Sequence, residues 1–522
     1  MSPGQRKHFW VVSLVTILSL LVWVAVSIQR GTVGFPLDDG WIHQTYARSL
    51  AAGHGWAYSP GEPSAGATAP FWVLLLVPGY WLGASPVCWV LFLGLLLLWG
   101  LAWLAYRSWS YLSEHRGWWV AAAGVVIGLE WHLLWAALSG METLLMTGLV
   151  LTVLATLLKI EQGVEQQAGK EAIETQGEQE DLKYHPGLEM DWRWLGLGAL
   201  IGLGIWVRPE ALTLFGPVWF TAVLAPGTLK TRFYRSGWSL LGGLALFVPY
   251  LAFNHWLAGT WWPNTFFAKQ AEYAVLRDTP LVSRLISQPG PLLAGVVVAL
   301  LPGFIYEFYQ DFRERRWANT AGALWAVGFV ALYAIRLPVT YQHGRYMIPV
   351  VPVLILWGLA GTARLIGGKN PGRVRWFVGR LYFAIIAAIL VLFWWLGVDA
   401  FTKDVAVING EMVATANWLQ ANTDPEDLIA AHDIGAIGYI TQRKIVDLAG
   451  LISPDVIPFI RDEEKLTDYL NEKCPVYFVT FPGWYPEMVK GREKIFQTDT
   501  AITREFGKEN MAVYLWGKCR ED

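Results

Sequence analysis

Over the first 400 positions, apolar residues come in long runs broken by short polar loops, and the strict alternation of a half-buried strand is absent. About eleven of these runs fit a membrane crossing. They lie at residues 9–28, 87–106, 118–138, 144–158, 194–207, 212–224, 238–257, 292–305, 321–335, 347–366 and 381–398. Some fall short of the ~20 residues that a hydrocarbon core needs, which leaves their ends open. A further stretch at 70–83, "PFWVLLLVPGYWLG", is interrupted by Pro78 and Gly79. From about Phe401 the pattern turns to that of a soluble domain. There "DLIAAHDIG", "KIVDLAG", "PVYFVTF" and "MAVYLWG" predict strands, while "NGEMVATANWLQANT" and "DEEKLTDYLNEKC" predict helices. The fold class expected is an α-helical polytopic membrane protein, residues 1–400, followed by an α/β domain at 401–522.

The basic residues give this pattern a direction. Arg6 and Lys7; Arg107 and Arg116; Lys230, Arg232 and Arg235; Arg313, Arg315 and Arg316; and Lys369, Arg373, Arg375 and Arg380 occupy one set of connections, which the positive-inside rule puts in the cytoplasm. The other set carries "LDDGW", "SGMET", "RPE", "WWPNTFFAK" and "HGRY". These loops fall together on the outer side only if 70–83 does not cross, since a crossing there would invert every later loop. The first helix is expected to be retained, because its apolar run is long for a signal peptide and lacks a convincing small-residue cleavage site. The expected location is a bacterial cytoplasmic (inner) membrane, with the N-terminus inside and the C-terminal domain extracytoplasmic. Residues 161–193, rich in Glu and Gln, are expected to form a disordered or loosely helical cytoplasmic loop.

Composition agrees with a lipid environment: 54% of the 522 residues are hydrophobic, 16% are charged, and 31 are tryptophan. A formal net charge of −2 gives no global reason to expect a nucleic-acid partner. None of the three cysteines (Cys88, Cys474, Cys519) has metal-ligand spacing, and a disulfide between the last two is left open. P-loop, GxSxG, HExxH and dinucleotide fingerprints are missing, so nucleotide hydrolysis and serine-hydrolase chemistry have no support.

The candidate chemistry lies in the outer loops. Asp38 and Asp39 follow the first apolar run. One of them suffices to cap the helix that "DDGWIHQTYARSLA" predicts. The second adds like-charge repulsion, which favours a role as a proton acceptor for an incoming hydroxyl, or as half of an oxygen site for a divalent cation. Arg208, Lys269 and Arg345, with His343 beside the last, place cations in three separate outer loops, a set suited to an anionic group at headgroup depth. Taken singly, each arginine has a plain reading as a turn-pinning ion pair or a snorkelling side chain. Glu142 stands at a helix start, where an acid is favoured by the dipole alone. Glu210 and Asn264 stand beside the cations, and His432 and Asp433 end a predicted strand.

In order and loop placement, "DDGWIHQTYARSLAAGHGWAYSPGEPSAGATAPFWVLLL", "SGMET", "RPE", "NTFFAK", "GRYMIPVVP", "HDIGAIGY" and "DLAGL" resemble the GT-C superfamily of polytopic glycosyltransferases. The likeness is nearest to the actinobacterial cell-wall arabinofuranosyltransferase group. The resemblance implies a polyprenyl-phosphate monosaccharide donor used on the extracytoplasmic face, a glycan or glycolipid acceptor, and an acid in the first external loop near the reaction centre. Asp38 and Asp39 occupy that position. Carried over to this chain, Asp38 is expected as the base and Asp39 as its orienter. Arg208, Lys269, His343 and Arg345 would surround the donor phosphate, and Glu142, Glu210 and Asn264 would touch substrate. The competing reading is a transporter or flippase of a lipid-linked glycan, whose charges would line a path near the bilayer midplane. A membrane-tethered polysaccharide-binding protein would need far fewer helices than this chain has.

Overall fold

The computed structural model describes residues 3–115, 117–174, 191–367 and 372–517, with the side chains of 164–174 left aside. Arg116, Lys369, Cys519 and residues 175–190 of the expected loop fall outside the described residues.

Helix α1 (Pro3–Gln29) leads into a short surface helix α2 (Asp39–Ala51), a two-stranded hairpin of β1 (Ala57–Ser59) and β2 (Glu62–Pro63), and helix α3 (Pro70–Trp81). Then come α4 (Pro86–Leu112), the bent pair α5 (Trp118–Leu129) and α6 (Trp131–Leu138), α7 (Thr143–Glu174), α8 (Trp192–Val207) and α9 (Phe215–Leu224). Helices α10 (Leu229–Ala258) and α11 (Asn264–Glu272) precede α12 (Leu281–Ser287) and α13 (Gly290–Leu293), which turn by 115° into α14 (Val296–Arg313). The helical part ends with α15 (Trp317–Arg336), α16 (Val351–Ile366) and α17 (Arg373–Ile408).

Among the described residues, seven helices are long and apolar enough to cross a membrane, and nine if each of two bent pairs counts as one span. The protein is a multi-pass membrane protein. The two further spans expected at 194–207 and 212–224 are α8, with 16 residues, and a 3-10 turn (Pro209–Leu214) running into the ten-residue α9. At 1.5 Å per residue, α8 covers about 24 Å, less than a hydrocarbon core.

The basic clusters gather at one end of this bundle. Lys7 lies 5.4 Å from the Trp118 ring. Arg316 donates to the carbonyls of Tyr111 and Leu112 at 3.2 and 2.9 Å, and Arg375 donates to that of Arg364 at 3.1 Å. Arg235 approaches the Trp194 ring at the start of α8. At the same end Glu307 and Asp311 are fully buried and held by Arg316 and Arg364, which satisfies charges that would otherwise be costly to bury. Helices α1 and α4 each have one end in this region, so the connection between them, α3 included, begins and ends at the opposite end. The 12 residues of α3 reach about 18 Å and do not cross.

The chain leaves the bundle without a linker. Helix α17 continues through a π turn (Asn409–Val413) into α18 (Ala414–Asn422), past the boundary expected at residue 400. The soluble domain adds β3 (Ile429–Ala431), α19 (Gly435–Thr441), β4 (Ile445–Asp447), α20 (Glu463–Lys473), β5 (Tyr477–Thr480), β6 (Lys494–Gln497) and β7 (Ala512–Leu515). The sheet order is β4-β3-β5-β7-β6, with β4, β3 and β5 parallel and the other neighbours antiparallel. All four expected strands are present, and β6 is additional. Glu411, inside the π turn, is the buried hub between rod and sheet. It accepts hydrogen bonds from Thr498, Thr500, Thr503, Asn510 and the Met511 amide.

Close helix contact in the bundle depends on small residues, as expected where lipid removes the hydrophobic drive for association. A Cβ on Gly361 of α16 would lie 1.9 Å from the Gly303 carbonyl oxygen of α14. Replacing Gly361 by Val is expected to separate these helices at a cost of about 1–3 kcal/mol, seen as a lower thermal unfolding midpoint in detergent. Gly328→Ala, where the added carbon meets nothing within 4 Å, should leave the midpoint unchanged.

Candidate active site

At the end opposite the basic clusters lies a cavity of about 290 Å³. Leu212, Trp262, Phe266, Leu332 and Leu337 are among its apolar lining, while Asp39, His43, Glu142, Arg208, Glu210, Lys269 and Arg345 make up the polar wall. Five separate chain segments supply the polar wall. Counting Arg336 at the lining, three carboxylates face four cations, leaving a surplus of positive charge.

Asp39 opens α2, and its Oδ2 accepts from Arg345 Nη2 at 2.7 Å with Lys269 Nζ at 3.9 Å. Burial acts to raise this carboxyl, but Arg345 and Lys269 outweigh it and hold the group below the usual carboxylate range. Arg345 is buried and also donates to the Tyr346 hydroxyl at 3.0 Å. Its Nε and Nη1 are buried and have no partner among the described residues. The Tyr346 ring collects three cations, with Arg208, Lys269 and Arg345 at 5.2, 5.4 and 4.9 Å from its centroid, a favourable arrangement over a π face.

Arg208 is committed differently. It donates to Glu142 at 2.8 Å and to Glu210 at 3.1 and 3.3 Å, and Glu210 also accepts from Tyr333 at 2.6 Å. Glu142 also lies 3.3 Å from His43 Nε2. Burial would raise Glu142, but His43 and Arg208 hold it low. Arg208, Glu142 and Glu210 thus form a clamp that fixes the floor of the cavity and spends most of the guanidinium's donors.

Three expected site residues lie elsewhere. His343 pairs through Nε2 with Asp404 on α17 at 2.8 Å and packs between Trp131 and Trp135, off the cavity lining. Asn264 donates to the Leu451 carbonyl at 3.2 Å and ties α11 to the soluble domain. Asp38, expected as the base, points away from its neighbour. Its two carboxylate oxygens accept from the Gly435 and Ala436 amides at 2.6 and 2.8 Å. Burial and the nearby Asp433 push its pKa up, against the pull of these two bonds. Because Asp38 and Asp39 diverge, the pair does not converge on one cation.

The Asp38 contact is one of several joining α2 and the hairpin to the soluble domain. Tyr58 donates to the Ile434 carbonyl, and Arg48 donates to that of Tyr439 at 2.7 Å while stacking on the Tyr439 ring. A Cβ on Gly435 would lie 2.0 Å from the Asp38 carbonyl oxygen, which accounts for the glycine in "HDIGAIGY". Beside it, Asp447 accepts from the amides of Ala449, Leu451 and Ile452, building the loop that brings Leu451 into the cavity wall.

His43, Tyr333, Tyr346 and Arg336 are cavity residues that sequence reasoning does not single out. His43 has a usable signal, four residues after Asp39 and so on the same helical face. Tyr333 sits inside an apolar run and has none.

Solved structures of other proteins share this architecture. ArnT from Cupriavidus metallidurans bound to undecaprenyl phosphate aligns over 95% of this chain and 97% of its own, with a TM-score of 0.54 at 14% identity. The Archaeoglobus fulgidus oligosaccharyltransferase in its apo form aligns over 91% of this chain and 70% of its own, with a TM-score of 0.55 at 12% identity. This is the GT-C fold. The mycobacterial arabinofuranosyltransferase AftD aligns over 98% of this chain and 40% of its own, with a TM-score of 0.48 at 14% identity, too low to single out a branch. A domain of unknown function, DUF8728, matches residues 403–514. No curated protein sequence matches the chain. The cavity is lined both by α2, through Asp39, Ile42 and His43, and by the soluble domain, through Leu451.

Asp38→Asn replaces one amide acceptor by a donor facing an N–H. A buried N–H left without its acceptor costs about 1–3 kcal/mol. The expected outcome is faster limited proteolysis of the soluble domain with the helical part still folded, read by gel and by thermal unfolding in detergent.

Proposed function

We propose that the protein is a membrane glycosyltransferase that moves a monosaccharide from a polyprenyl-phosphate donor to a cell-envelope glycan or glycolipid. The observation that carries this reading is Arg345, buried against Asp39 with two guanidinium donors unpartnered among the described residues, in a cavity whose lining is mainly apolar. Unmet buried donors are costly, and a phosphate satisfies them bidentately. The apolar wall suits the first isoprene units. ArnT, which shares the fold, was crystallised bound to undecaprenyl phosphate, which supports a lipid phosphate as the occupant here.

In this reading the acceptor hydroxyl attacks the anomeric carbon and the bond from that carbon to the phosphate oxygen breaks, its electron pair leaving with the polyprenyl phosphate. Arg345 and Lys269 neutralise the leaving phosphate. Asp39, kept ionised by the same two cations, lies where positive charge develops on the sugar. A carboxylate takes the acceptor proton. The arginine clusters at one end and the soluble domain at the other support a cytoplasmic-membrane protein with its site on the extracytoplasmic side. A flippase would need its charged path near the midplane, whereas these charges sit at one end, under the domain.

The test uses purified protein in detergent, with undecaprenyl phosphate and undecaprenol as probes, and membranes supplied with labelled polyprenyl-phosphate arabinofuranose, mannose and glucose. Undecaprenyl phosphate should bind and undecaprenol should not, and Arg345→Ala should weaken phosphate-lipid binding at least about tenfold. One labelled sugar should reach the glycan fraction. Asp39→Asn should lower that transfer by about a hundredfold or more, with lipid binding retained. Failure of every donor would overturn the reading.

A further inference from the structure

The carboxyl edge of the parallel strands in the soluble domain reaches the cavity through Leu451. β3, β4 and β5 run parallel, and β3 lies between the other two, so the chain reverses its direction of spread across β3. Open α/β sheets bind ligands outside the carboxyl ends of the strands at such a reversal. Here the segments after those ends are His432–Asp433, Leu451 and Trp484–Tyr485. Leu451 lines the cavity. His432 is fixed by Tyr485 at 2.7 Å and by Glu272 of α11 at 3.3 Å, with the half-exposed Trp484 packed edge-on against it.

Asp433 is the acid in this group whose chemistry is uncommitted. Its Oδ2 is buried with no partner among the described residues. By contrast, both oxygens of Asp38 are taken by amides, and Asp39 is held by Arg345 and Lys269. We infer that Asp433, delivered by the soluble domain, is the group that accepts the proton of an incoming sugar hydroxyl, and that the acceptor binds between the carboxyl edge of the sheet and α11. This rests on the glycosyltransferase reading above.

The balance of the step is simple. As the hydroxyl oxygen forms its bond to the anomeric carbon and the bond to the phosphate oxygen breaks, its proton passes to the Asp433 carboxylate and is later lost to water. The electrostatics favour that choice over Asp39. Burial, with the charges of Asp39, Glu272 and Asp447, pushes Asp433 upward against the pull of His432, while Asp39 is held low. The facing groups are therefore Asp38 and Asp39 from the first loop, Glu272 from α11, and His432 and Asp447 from the domain itself. A base with a pKa nearer the working pH is the more effective one.

The experiment measures transfer in membranes, from the donor that the wild type consumes to the glycan fraction, as a function of pH. Binding of undecaprenyl phosphate to the purified protein is measured in parallel. Wild-type transfer should fall as pH drops, with its acid limb above the ordinary carboxylate value of about 4. Asp433→Asn should lose about a hundredfold or more in rate and lose the limb, with undecaprenyl phosphate affinity within about twofold of wild type. Asp433→Glu should recover part of the rate with a displaced limb. A rate for Asp433→Asn within about threefold of wild type, or an unchanged limb, overturns the assignment while leaving the transferase reading standing. If Asp433→Asn fails to bind the lipid, Asp433→Glu decides: a displaced limb supports the base and an unmoved one overturns it. If the wild type consumes no donor, the transferase reading and the base fall together.

Discussion

The structure turns on a single carboxylate caught by two backbone amides. Asp38, at the mouth of the first loop, holds Gly435 and Ala436 of the soluble domain at hydrogen-bond distance. That contact ties the first loop to the soluble domain, and because Asp38 and Asp39 are adjacent in sequence, it also constrains where Asp39 points. The backbone of α2 sends one acid up into the domain and the next down to Arg345. The contact is buried, so its strength owes little to salt screening and much to the absence of competing water.

Below that contact, charge is organised by mutual neutralisation. Glu142 and Glu210 consume Arg208, and Asp39 consumes part of Arg345. Buried ions survive only when paired and hydrogen-bonded, and most of this wall obeys that rule. Arg345 departs from it with two orphaned donors, and Asp433 departs from it with one orphaned oxygen. Those two departures have opposite sign, and each group also interacts with Asp39.

Much of this was legible in the sequence. Apolar runs marked the helices, the asymmetry of lysine and arginine separated the two ends, and Pro78 and Gly79 flagged the segment that stays on one side. The alternating stretches after Phe401 marked four of the five strands of the soluble domain. The loops named for their charges did supply the polar lining of the cavity. What stayed hidden was direction. Nothing in "DDGW" tells which aspartate faces which domain, since that depends on a partner almost 400 residues away. His343 beside Arg345 suggested a second phosphate ligand, yet its backbone is left-handed at φ 57° and turns the ring toward Asp404. Tyr333 lay inside a run read only for its hydrophobicity.

The unbroken rod from Arg373 to Asn422 has a geometric corollary. A domain hung on a loop tolerates insertions, but one mounted on a helix is indexed by residue count. Each residue added to or removed from the rod would swing the domain by about 100° around the axis, carrying Gly435 out from over Asp38. The π turn at Asn409–Val413 closes its hydrogen bonds over one residue more than an α turn. It is therefore the setting of that dial, with Glu411 as the pin that stops it from slipping.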